Sequence, residues 1–331
     1  MNADGSAASA LEVVAPGLFT TIQDTRGRSH LARFGVPAAG ALDPFAAAAA
    51  NALVDNPPDA ALLEITLVGP VLRFTQATAF GLAGADLSAV LDTQTVAPGW
   101  SRLARAGATL TFGERRTGSR AYLAVAGGLE TPTVLGSRSA DVRAAFSGVA
   151  GRPLRTGDRL PIQPVADVLT RCGRYLPALH ERNQLNQPIR VLPGPHTDRF
   201  HSGELERFCS TVWQIGDQAD RMGYRLLGPS LRHVQSAGVA SLGQPVGAVQ
   251  VPGDGRPIVL LADHQPTGGY TVLACVIRAD LHLLAQRAPG DDVRFTLTTP
   301  NEARSALKAR CAALRVVDPD ASTWAALRWA T

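Results

Sequence analysis

Lysine is almost absent from this chain: Lys308 is the one lysine among 32 basic residues. The sequence therefore has no Gly-x-x-x-x-Gly-Lys-[Ser/Thr] phosphate loop, and no lysine lies in a hairpin to which biotin or lipoate could be attached. Schiff-base chemistry would have to use Lys308, which falls inside a predicted C-terminal helix. We predict no covalent biotin on this chain, and any ATP-dependent reaction would need parts on other chains.

Aromatic side chains and long apolar runs are also scarce. Aromatic residues make up 5% of the 331 residues, too few to form the stacking platforms of single-strand nucleic-acid binders. The net charge is +4, but the arginines are scattered singly among acidic residues, so no nucleic-acid partner is predicted. No apolar run approaches the roughly 20 residues of a membrane-spanning helix, so no membrane partner is predicted. The polar start of the chain predicts a disordered tail over residues 1–14 and a cytoplasmic location.

Paired metal ligands are missing as well. The four cysteines are far apart and form no Cys-x-x-Cys pair, so we interpret them as small buried hydrophobes. His196, Asp198 and His201 do not have the spacing of a zinc motif, and no metal is predicted. Gly-x-Ser-x-Gly and Gly-x-Gly-x-x-Gly motifs are absent, so hydrolase-elbow and dinucleotide-binding functions have no support.

The sequence does contain many short apolar runs bounded by Gly, Pro, Asn or Asp, a pattern typical of all-β sheets and barrels. Two helices are predicted from their start signals, and residues 279–287 are a shorter candidate. One begins at Asp43-Pro44 and continues to Leu53. The other follows a capping box at Thr299–Glu302 and runs over residues 303–314.

A weak internal repeat indicates two related β-domains. The segment at residues 22–24 corresponds to residues 215–217, and both halves end on a Gly-Asp turn before a strand, at Gly157 and Gly290. The predicted boundaries are 15–165 for the first β-domain, 166–188 for a linker, 189–300 for the second β-domain and 301–331 for a C-terminal helical segment.

Residues 238–270 form the most informative segment. Two apolar runs, 246–251 and 257–262, flank a tight Pro-Gly-Asp-Gly turn, which predicts a hairpin. A polar cluster and a Gly-Gly pair follow, and paired glycines allow close backbone approach or positive φ. Either this is an ordinary hairpin with a solvated loop, or the strands present a small-molecule site. The candidate site residues in this segment are Gln250, Asp254, Asp263, Gln265, Thr267, Gly268 and Gly269.

A charged loop at residues 217–225 precedes a predicted strand and adds Arg221 and Tyr224 to the same candidate site. Together with the polar residues of segment 238–270, it forms the densest set of polar side chains near glycine turns in the sequence. This density favours a functional site over a solvated surface.

Three other polar segments each admit two interpretations. The loop 35–45, helped by Arg33, either binds an anion at a helix N-terminus or is capped by its own aspartate. Glu64 lies in an apolar strand and either points to solvent or faces inward with a partner such as Arg33 or Arg73. The segment 136–143 either binds an anion through its arginines or forms a surface salt bridge.

Several longer motifs, taken in order, resemble the allophanate hydrolase subunit 2 family. They are residues 17–24 (GLFTTIQD), 35–45, 63–66, 136–139, 191–195, 220–225 and 238–270. By these motifs, which extend over roughly residues 15–295, the chain is identified as a member of that family. The family is also named biotin-dependent carboxyltransferase, and it includes the C subunits of 5-oxoprolinases and the KipA-like proteins.

The resemblance implies a mainly β fold of two tandem cyclophilin-like β-barrel domains with a few short helices. It also implies two companion proteins. One is of the allophanate hydrolase subunit 1 type, which is KipI-like and corresponds to the B subunit of 5-oxoprolinase, and the other is the lactam-utilisation-type A subunit of 5-oxoprolinase. Such a complex would use ATP to open the lactam of 5-oxo-L-proline to L-glutamate.

The family resemblance leaves two alternatives. They are a carboxyltransferase for urea or a urea-like acceptor, and a non-catalytic regulatory partner of a KipI-like protein. The missing biotin carrier and ATP-grasp module favour the 5-oxoprolinase.

Both enzyme alternatives act on a small amide or urea, which needs hydrogen-bond donors and acceptors around a planar carbonyl group. For this chemistry we expect Arg221, Asp263 and Gln250 to be the catalytic residues. Arg221 and Gln250, together with Gln265 and the Gly268-Gly269 backbone, would hold an oxyanion or carboxylate. The other candidates for substrate binding are Tyr224, Asp254, Thr267, Arg33 and Glu64. We expect the site at the mouth of the second barrel, shared with a companion protein, and a chain that is inactive alone.

Overall fold

The computed structural model describes residues 9–176 and 186–315, which divide into two compact units. Within these residues, the first unit comprises 9–26, 44–176 and 315, and the second comprises 27–43 and 186–314. Residues 27–43 therefore belong to the second unit, although the sequence predicted them within the first β-domain. The predicted tail also differs, because residues 10–14 form a strand whose apolar side chains Leu11 and Val13 are buried. Residues 1–8 of that tail lie outside the described part.

Two antiparallel sheets form the described part of the first unit. Their strand orders are β11-β1-β4-β9-β6-β7 and β2-β3-β10-β5-β8. The strands are β1 (Ala10–Ala15), β2 (Phe19–Gln23), β3 (Leu62–Thr66), β4 (Val71–Phe74), β5 (Thr78–Asp86), β6 (Ala89–Leu91), β7 (Gln94–Val96), β8 (Trp100–Ala104), β9 (Thr109–Thr111), β10 (Thr117–Val125) and β11 (Arg159–Pro161). The inward side chains of both sheets, such as Leu63, Phe74 and Phe80, share one hydrophobic core.

The helix α1 (Pro44–Leu53) packs on this unit through small side chains. It begins at the predicted proline and consists largely of alanine, and its residues Phe45–Leu53 are all buried. Where it meets β5, a Cβ on Gly81 would lie 2.6 Å from the carbonyl oxygen of Ala50. The helix and the strand therefore approach more closely than any side chain at position 81 would permit.

A nine-stranded sheet forms the described part of the second unit. Its order is β19-β13-β14-β17-β16-β18-β12-β20, with β15 paired to β18. The strands are β12 (Ile189–Pro193), β13 (Trp213–Ala219), β14 (Gly223–Leu227), β15 (Gly238–Gly243), β16 (Ala248–Val251), β17 (Ile258–Leu260), β18 (Thr267–Val276), β19 (Asp292–Val293) and β20 (Phe295–Leu297). Helices α2 (Glu204–Ser210), α3 (Leu281–Ala285) and α4 (Pro300–Arg315) complete it. Trp213, Phe208 and Phe295 are fully buried in its core.

The predictions from local sequence signals are confirmed. The capping box at the start of α4 is formed, since Thr299 N donates to Glu302 Oε2 at 2.9 Å and Glu302 N donates to Thr299 Oγ1 at 3.3 Å. The predicted hairpin is β16 and β17, joined by a turn in which Gly255 N donates to Pro252 O at 2.9 Å. The fold is mainly β, with few helices and a sheet that nearly closes into a barrel.

The proposed repeat also has a structural counterpart. Gly157 and Gly290 both have positive φ, at 89° and 86°, and each precedes a strand at the end of its sheet, β11 and β19 respectively. The two turns therefore match in conformation, while the relation between the two β-domains stays a prediction. Among residues 9–176 and 186–315, none of the helices has the length and hydrophobicity that crossing a bilayer requires.

Candidate functional site

A cavity of about 360 Å³ lies over the outer face of the second unit's sheet. Tyr224 and Val259, which pair across β14 and β17, point into the hydrophobic core. Because side chains alternate along a strand, their neighbours point to the opposite face and line the cavity. The lining residues are Gln218, Asp220, Met222, Gly223, Arg225, Gln250, Ile258, Leu260, Gln265 and Tyr270.

Three adjacent strands align the central side chains of this cavity. Arg225 on β14 is directly opposite Ile258 on β17, and Ile258 is directly opposite Gln250 on β16. Directly opposed residues project to the same face, so an arginine and a glutamine flank an isoleucine. The backbones of Arg225 and Gln250 are two strand spacings apart, a distance of about 10 Å.

Gln250 is buried, yet its amide is incompletely satisfied. The residue is 2% exposed, and its Nε2 has no hydrogen-bond partner among the described residues. Gly268 on β18 leaves the space that this amide occupies, since a Cβ there would lie 2.5 Å from Gln250 Nε2. Gln244, also close to Gly268, has a buried Oε1 that likewise lacks a partner within the described chain. Two glutamines that each have a buried amide atom without a partner in the described chain therefore lie beside Gly268.

The other polar groups of the cavity are more exposed. The guanidinium of Arg225 makes no hydrogen bond or ion pair within the described residues, and the same holds for the side-chain amides of Gln218 and Gln265. The carboxylate of Asp220 is committed to its own loop, because its Oδ1 accepts hydrogen bonds from Met222 N at 2.8 Å and Gly223 N at 3.3 Å. The cavity therefore offers one cation, one carboxylate engaged through Oδ1 with its own loop, and several neutral amides over an apolar floor.

Arg221 and Asp263, two of the three predicted catalytic residues, do not line this cavity. They form a buried bidentate ion pair, with Arg221 Nε and Nη2 each donating to an oxygen of Asp263 at 2.8 Å. Arg221 Nη2 also donates to the carbonyl of Gly40 at 2.6 Å. These bonds hold the loop before β14, the residues after β17 and the segment 27–43 together. The pair is therefore engaged in internal contacts, and the contact of Arg221 with an oxyanion stays a prediction.

Tyr224 and Asp254 are also separated from the cavity. Tyr224 faces the core and donates its hydroxyl to the carbonyl of Arg287 at 3.2 Å, so it does not line this cavity, and its contact with substrate stays a prediction. Asp254 lies in the turn between β16 and β17, where its Oδ1 accepts a hydrogen bond from Arg256 N at 3.1 Å. It lines a second cavity of about 640 Å³ together with His201 and His233.

The glycine pair and its neighbours lie at the start of β18. Thr267 is exposed and pairs with Gly243 of β15, and Gly268 pairs with Leu242. Gly269 is the next residue, where a Cβ would lie 3.2 Å from the carbonyl of Val239. Of these three predicted residues, Gly268 is the one whose environment includes the cavity amide.

His264, next to the ion pair, is held neutral by its surroundings. Burial lowers the pKa of His264, and its Nδ1 lies 2.6 Å from the carbonyl oxygen of Gln265. Since a carbonyl only accepts, Nδ1 is the protonated ring nitrogen in this contact. The imidazole therefore fixes the backbone that carries the Gln265 side chain into the cavity.

Arg33 and Glu64 fall in different units. Arg33, in the second unit, is exposed on a 3₁₀ helix (Ser29–Phe34), and its guanidinium lies 4.8 Å from the centre of the Phe34 ring. Glu64, in the first unit, is 1% exposed, so the expectation that it points to solvent is wrong. Its Oε2 accepts a hydrogen bond from the Tyr122 hydroxyl at 2.8 Å.

The segment 136–143 is organised around a buried aspartate instead of an anion site. Asp24 Oδ2 accepts hydrogen bonds from Ser137 Oγ and Arg138 N, both at 2.7 Å. Ser139 Oγ in turn accepts a hydrogen bond from Asp24 N at 2.9 Å. The serines of this motif therefore serve the internal structure of the first unit.

Sequence reasoning missed several cavity residues, namely Gln218, Asp220, Arg225, Ile258 and Tyr270. Arg225 and Ile258 alternate with core residues along their strands, so strand periodicity could have assigned them to the outer face. Arg225 and Ile258 come to lie side by side through the register of β14 and β17, which the sequence alone does not show. Among the described residues, no group of three or more His, Cys, Asp or Glu side chains could hold a metal ion.

Comparison with known proteins agrees with this architecture. Residues 34–297 match the family model of the carboxyltransferase domain, subdomain A and B. The chain is 40% identical to the C subunit of 5-oxoprolinase from Escherichia coli (strain K12), over 91% of this chain and 94% of that protein. It is 37% identical to the C subunit of 5-oxoprolinase from Haemophilus influenzae, over 86% and 89% respectively. The crystal structure of the Kluyveromyces lactis urea amidolyase superposes with a TM-score of 0.87 at 30% identity, over 93% of this chain and 20% of that chain.

The family model covers most of the chain, and the E. coli relative is similar along nearly its whole length. Both findings confirm the resemblance that the sequence motifs indicated. The chain therefore belongs to the family of the carboxyltransferase domain, subdomain A and B.

Proposed function

We propose that this chain is the C subunit of an ATP-dependent 5-oxoprolinase, which opens the lactam of 5-oxo-L-proline to L-glutamate together with companion subunits. The observation that carries the proposal is that the alignments cover most of this chain and most of each relative. The chain aligns with nearly all of two proteins named as C subunits of 5-oxoprolinase, whereas it matches a fifth of the urea amidolyase chain. The two relatives that the chain covers almost completely are each named as one subunit of 5-oxoprolinase.

The cavity supports the proposal chemically. A lactam carbonyl needs a hydrogen-bond donor, and a carboxylate needs a cation, and the cavity offers both types of group. ATP would be bound by a companion protein, since this chain has no phosphate loop. The expected companions are a B subunit of the allophanate hydrolase subunit 1 type and a lactam-utilisation-type A subunit.

A carboxyltransferase for urea is the second candidate, because the fold matches a urea amidolyase at a TM-score of 0.87. The lack of a biotin-bearing lysine does not decide against it, since biotin could be attached to another chain. The two candidates differ in substrate: 5-oxoproline carries a carboxylate and urea does not.

The test is reconstitution of the complex from its purified components. We expect ATP-dependent release of glutamate from 5-oxoproline when the A and B subunits are combined with this chain, and a loss of activity when this chain is omitted. Urea with a carboxylated biotin carrier serves as the alternative substrate. Full activity without this chain, or carboxylation of urea with no glutamate release, would overturn the proposal.

A further inference from the structure

We propose that the cavity over β14, β16 and β17 binds 5-oxoproline directly, with Gln250 donating to the lactam carbonyl and Arg225 pairing with the carboxylate. This inference rests on the proposed function and adds to it the location of the substrate and the residues that select it. It moves the cationic role from the predicted Arg221 to Arg225.

The first support is the unsatisfied donor. Leaving a buried amide N–H without a partner destabilises a protein, so folded proteins keep few such groups. Gln250 Nε2 is one of them among the described residues, and its side chain lines the cavity. A ligand carbonyl oxygen placed there would complete its hydrogen bonding.

The second support is the spacing of the polar groups. The carboxylate and the ring carbonyl of 5-oxoproline lie on opposite sides of the ring nitrogen, and two methylene groups complete the ring. Arg225 and Gln250 flank Ile258 in the same way, on one face of the sheet and with their backbones about 10 Å apart. The methylene groups would contact Ile258 and Leu260, the apolar floor of the cavity.

The third support is the state of Arg225. Its guanidinium has no hydrogen bond or ion pair within the described chain, whereas the nearby Arg221 is fully engaged with Asp263 and Gly40. An arginine fork binds a carboxylate through two parallel hydrogen bonds. Arg225 would therefore favour a carboxylated cyclic amide over neutral urea, which gives the cavity its selectivity.

Gly268 provides a precise probe of this arrangement. Its φ is not in the left-handed region, so alanine fits the backbone, but its Cβ would lie 2.5 Å from Gln250 Nε2. The Gly268→Ala variant should therefore displace the amide without disturbing the strand. Gly243→Ala, on the paired strand β15, is the matched control, because a Cβ there meets no atom within 4 Å.

The experiment measures KM and kcat for 5-oxoproline in the reconstituted complex, together with ligand affinity by calorimetry. We expect Arg225→Ala and Gly268→Ala to raise KM by about tenfold to a hundredfold, the range of one charge-assisted or buried hydrogen bond. Gly243→Ala should stay within about twofold of the wild type. Arg225→Ala should also lose its preference for 5-oxoproline over 2-pyrrolidinone, which has the lactam but no carboxylate.

The outcomes separate the two proposals. If the complex releases glutamate and neither Arg225→Ala nor Gly268→Ala changes KM, the cavity is not the substrate site and the function stands. If the wild-type complex does not act on 5-oxoproline, the proposed function fails. In that case the calorimetric titration with 5-oxoproline still decides whether the cavity binds this ligand.

Discussion

Arg221 and Arg225 lie four residues apart and have opposite environments. Arg221 is 6% exposed and makes a bidentate pair with Asp263 and a bond to Gly40. Arg225 is exposed at the cavity and has no such partner within the described residues. An arginine whose N–H donors are hydrogen-bonded within the protein stabilises the fold. An arginine whose donors have no partner in the protein can bind a ligand.

The contrast extends to other buried polar groups. The carboxylate of Asp24 accepts two hydrogen bonds of 2.7 Å inside the first unit, while Gln250 in the second unit retains a buried donor with no partner in the described part of the chain. Buried polar groups are normally satisfied, so an exception marks a place where stability was not optimised. The following predictions test this division between structural and ligand-binding groups.

The largest expected effect is on stability, from breaking the buried ion pair. Arg221→Ala leaves the Asp263 carboxylate buried without its cation and should lower the free energy of unfolding by about 3–5 kcal/mol. Urea denaturation followed by tryptophan fluorescence measures this change.

The double variant Arg221→Met/Asp263→Leu is the control, because it removes both charges together. We expect it to be markedly more stable than Arg221→Ala. A loss below about 1 kcal/mol for Arg221→Ala would contradict the structural role.

The second effect is the pH dependence of stability. The pKa of His282 is lowered from 6.5 to about 4, chiefly by burial and secondly by the nearby charge of Arg310. Because the unfolded chain takes up this proton first, stability is complete above pH 6.5 and is lost as the pH falls toward about 4. The full loss is about 3 kcal/mol, at about 1.4 kcal/mol per unit of pKa.

Thermal unfolding at several pH values checks this expectation, with His282→Gln as the variant whose profile should be flatter. The cavity should respond differently, since arginine and glutamine do not titrate in this range. We therefore expect ligand affinity to change little between about pH 7 and pH 5. If affinity fell together with stability over this range, the separation of structural groups from ligand-binding groups would be contradicted.

The third effect is a gain in stability. Gln250→Met replaces a buried, unsatisfied amide with an apolar group of similar length, so the free energy of unfolding should rise by about 1 kcal/mol. KM for 5-oxoproline should rise at the same time. A destabilised Gln250→Met variant would indicate that this amide has a structural partner.

The smallest effect is expected from Arg225→Ala in the absence of ligand. The side chain is exposed and unpaired within the described residues, so the free energy of unfolding should stay within about 0.5 kcal/mol of the wild type. Chemical denaturation alongside Arg221→Ala makes the comparison direct. A destabilisation above about 1 kcal/mol would place Arg225 with the structural group.

Local signals in the sequence predicted much of the fold. Pro44 and the capping box at Thr299–Glu302 marked helix starts correctly, because caps depend on residues within one turn. The hairpin of β16 and β17 followed from its turn residues and flanking apolar runs. The membership of residues 27–43 in the second unit had no local signal, since it depends on contacts such as that between Arg221 and Gly40.

The candidate site was only partly predictable for the same reason. Polar residues near glycine turns indicate Gln250, Gln265 and Gly268 as candidates. The structure places Gln250 and Gln265 in the lining of one cavity and Gly268 beside Gln250. Arg221 and Arg225 belong to one charged segment of the sequence, which does not show that Arg221 pairs with an aspartate 42 positions later. Strand alternation separates the two once the register is known.

The burial of α1 on all sides has a consequence for how this protein tolerates mutation. All nine residues from Phe45 to Leu53 are buried, and the backbone of Gly81 lies against Ala50. An amphipathic helix accepts substitutions at every position that faces water, but this helix has no such position. A scan of all substitutions should therefore show an unbroken block of intolerance across residues 45–53, in which alanine is retained for its small volume.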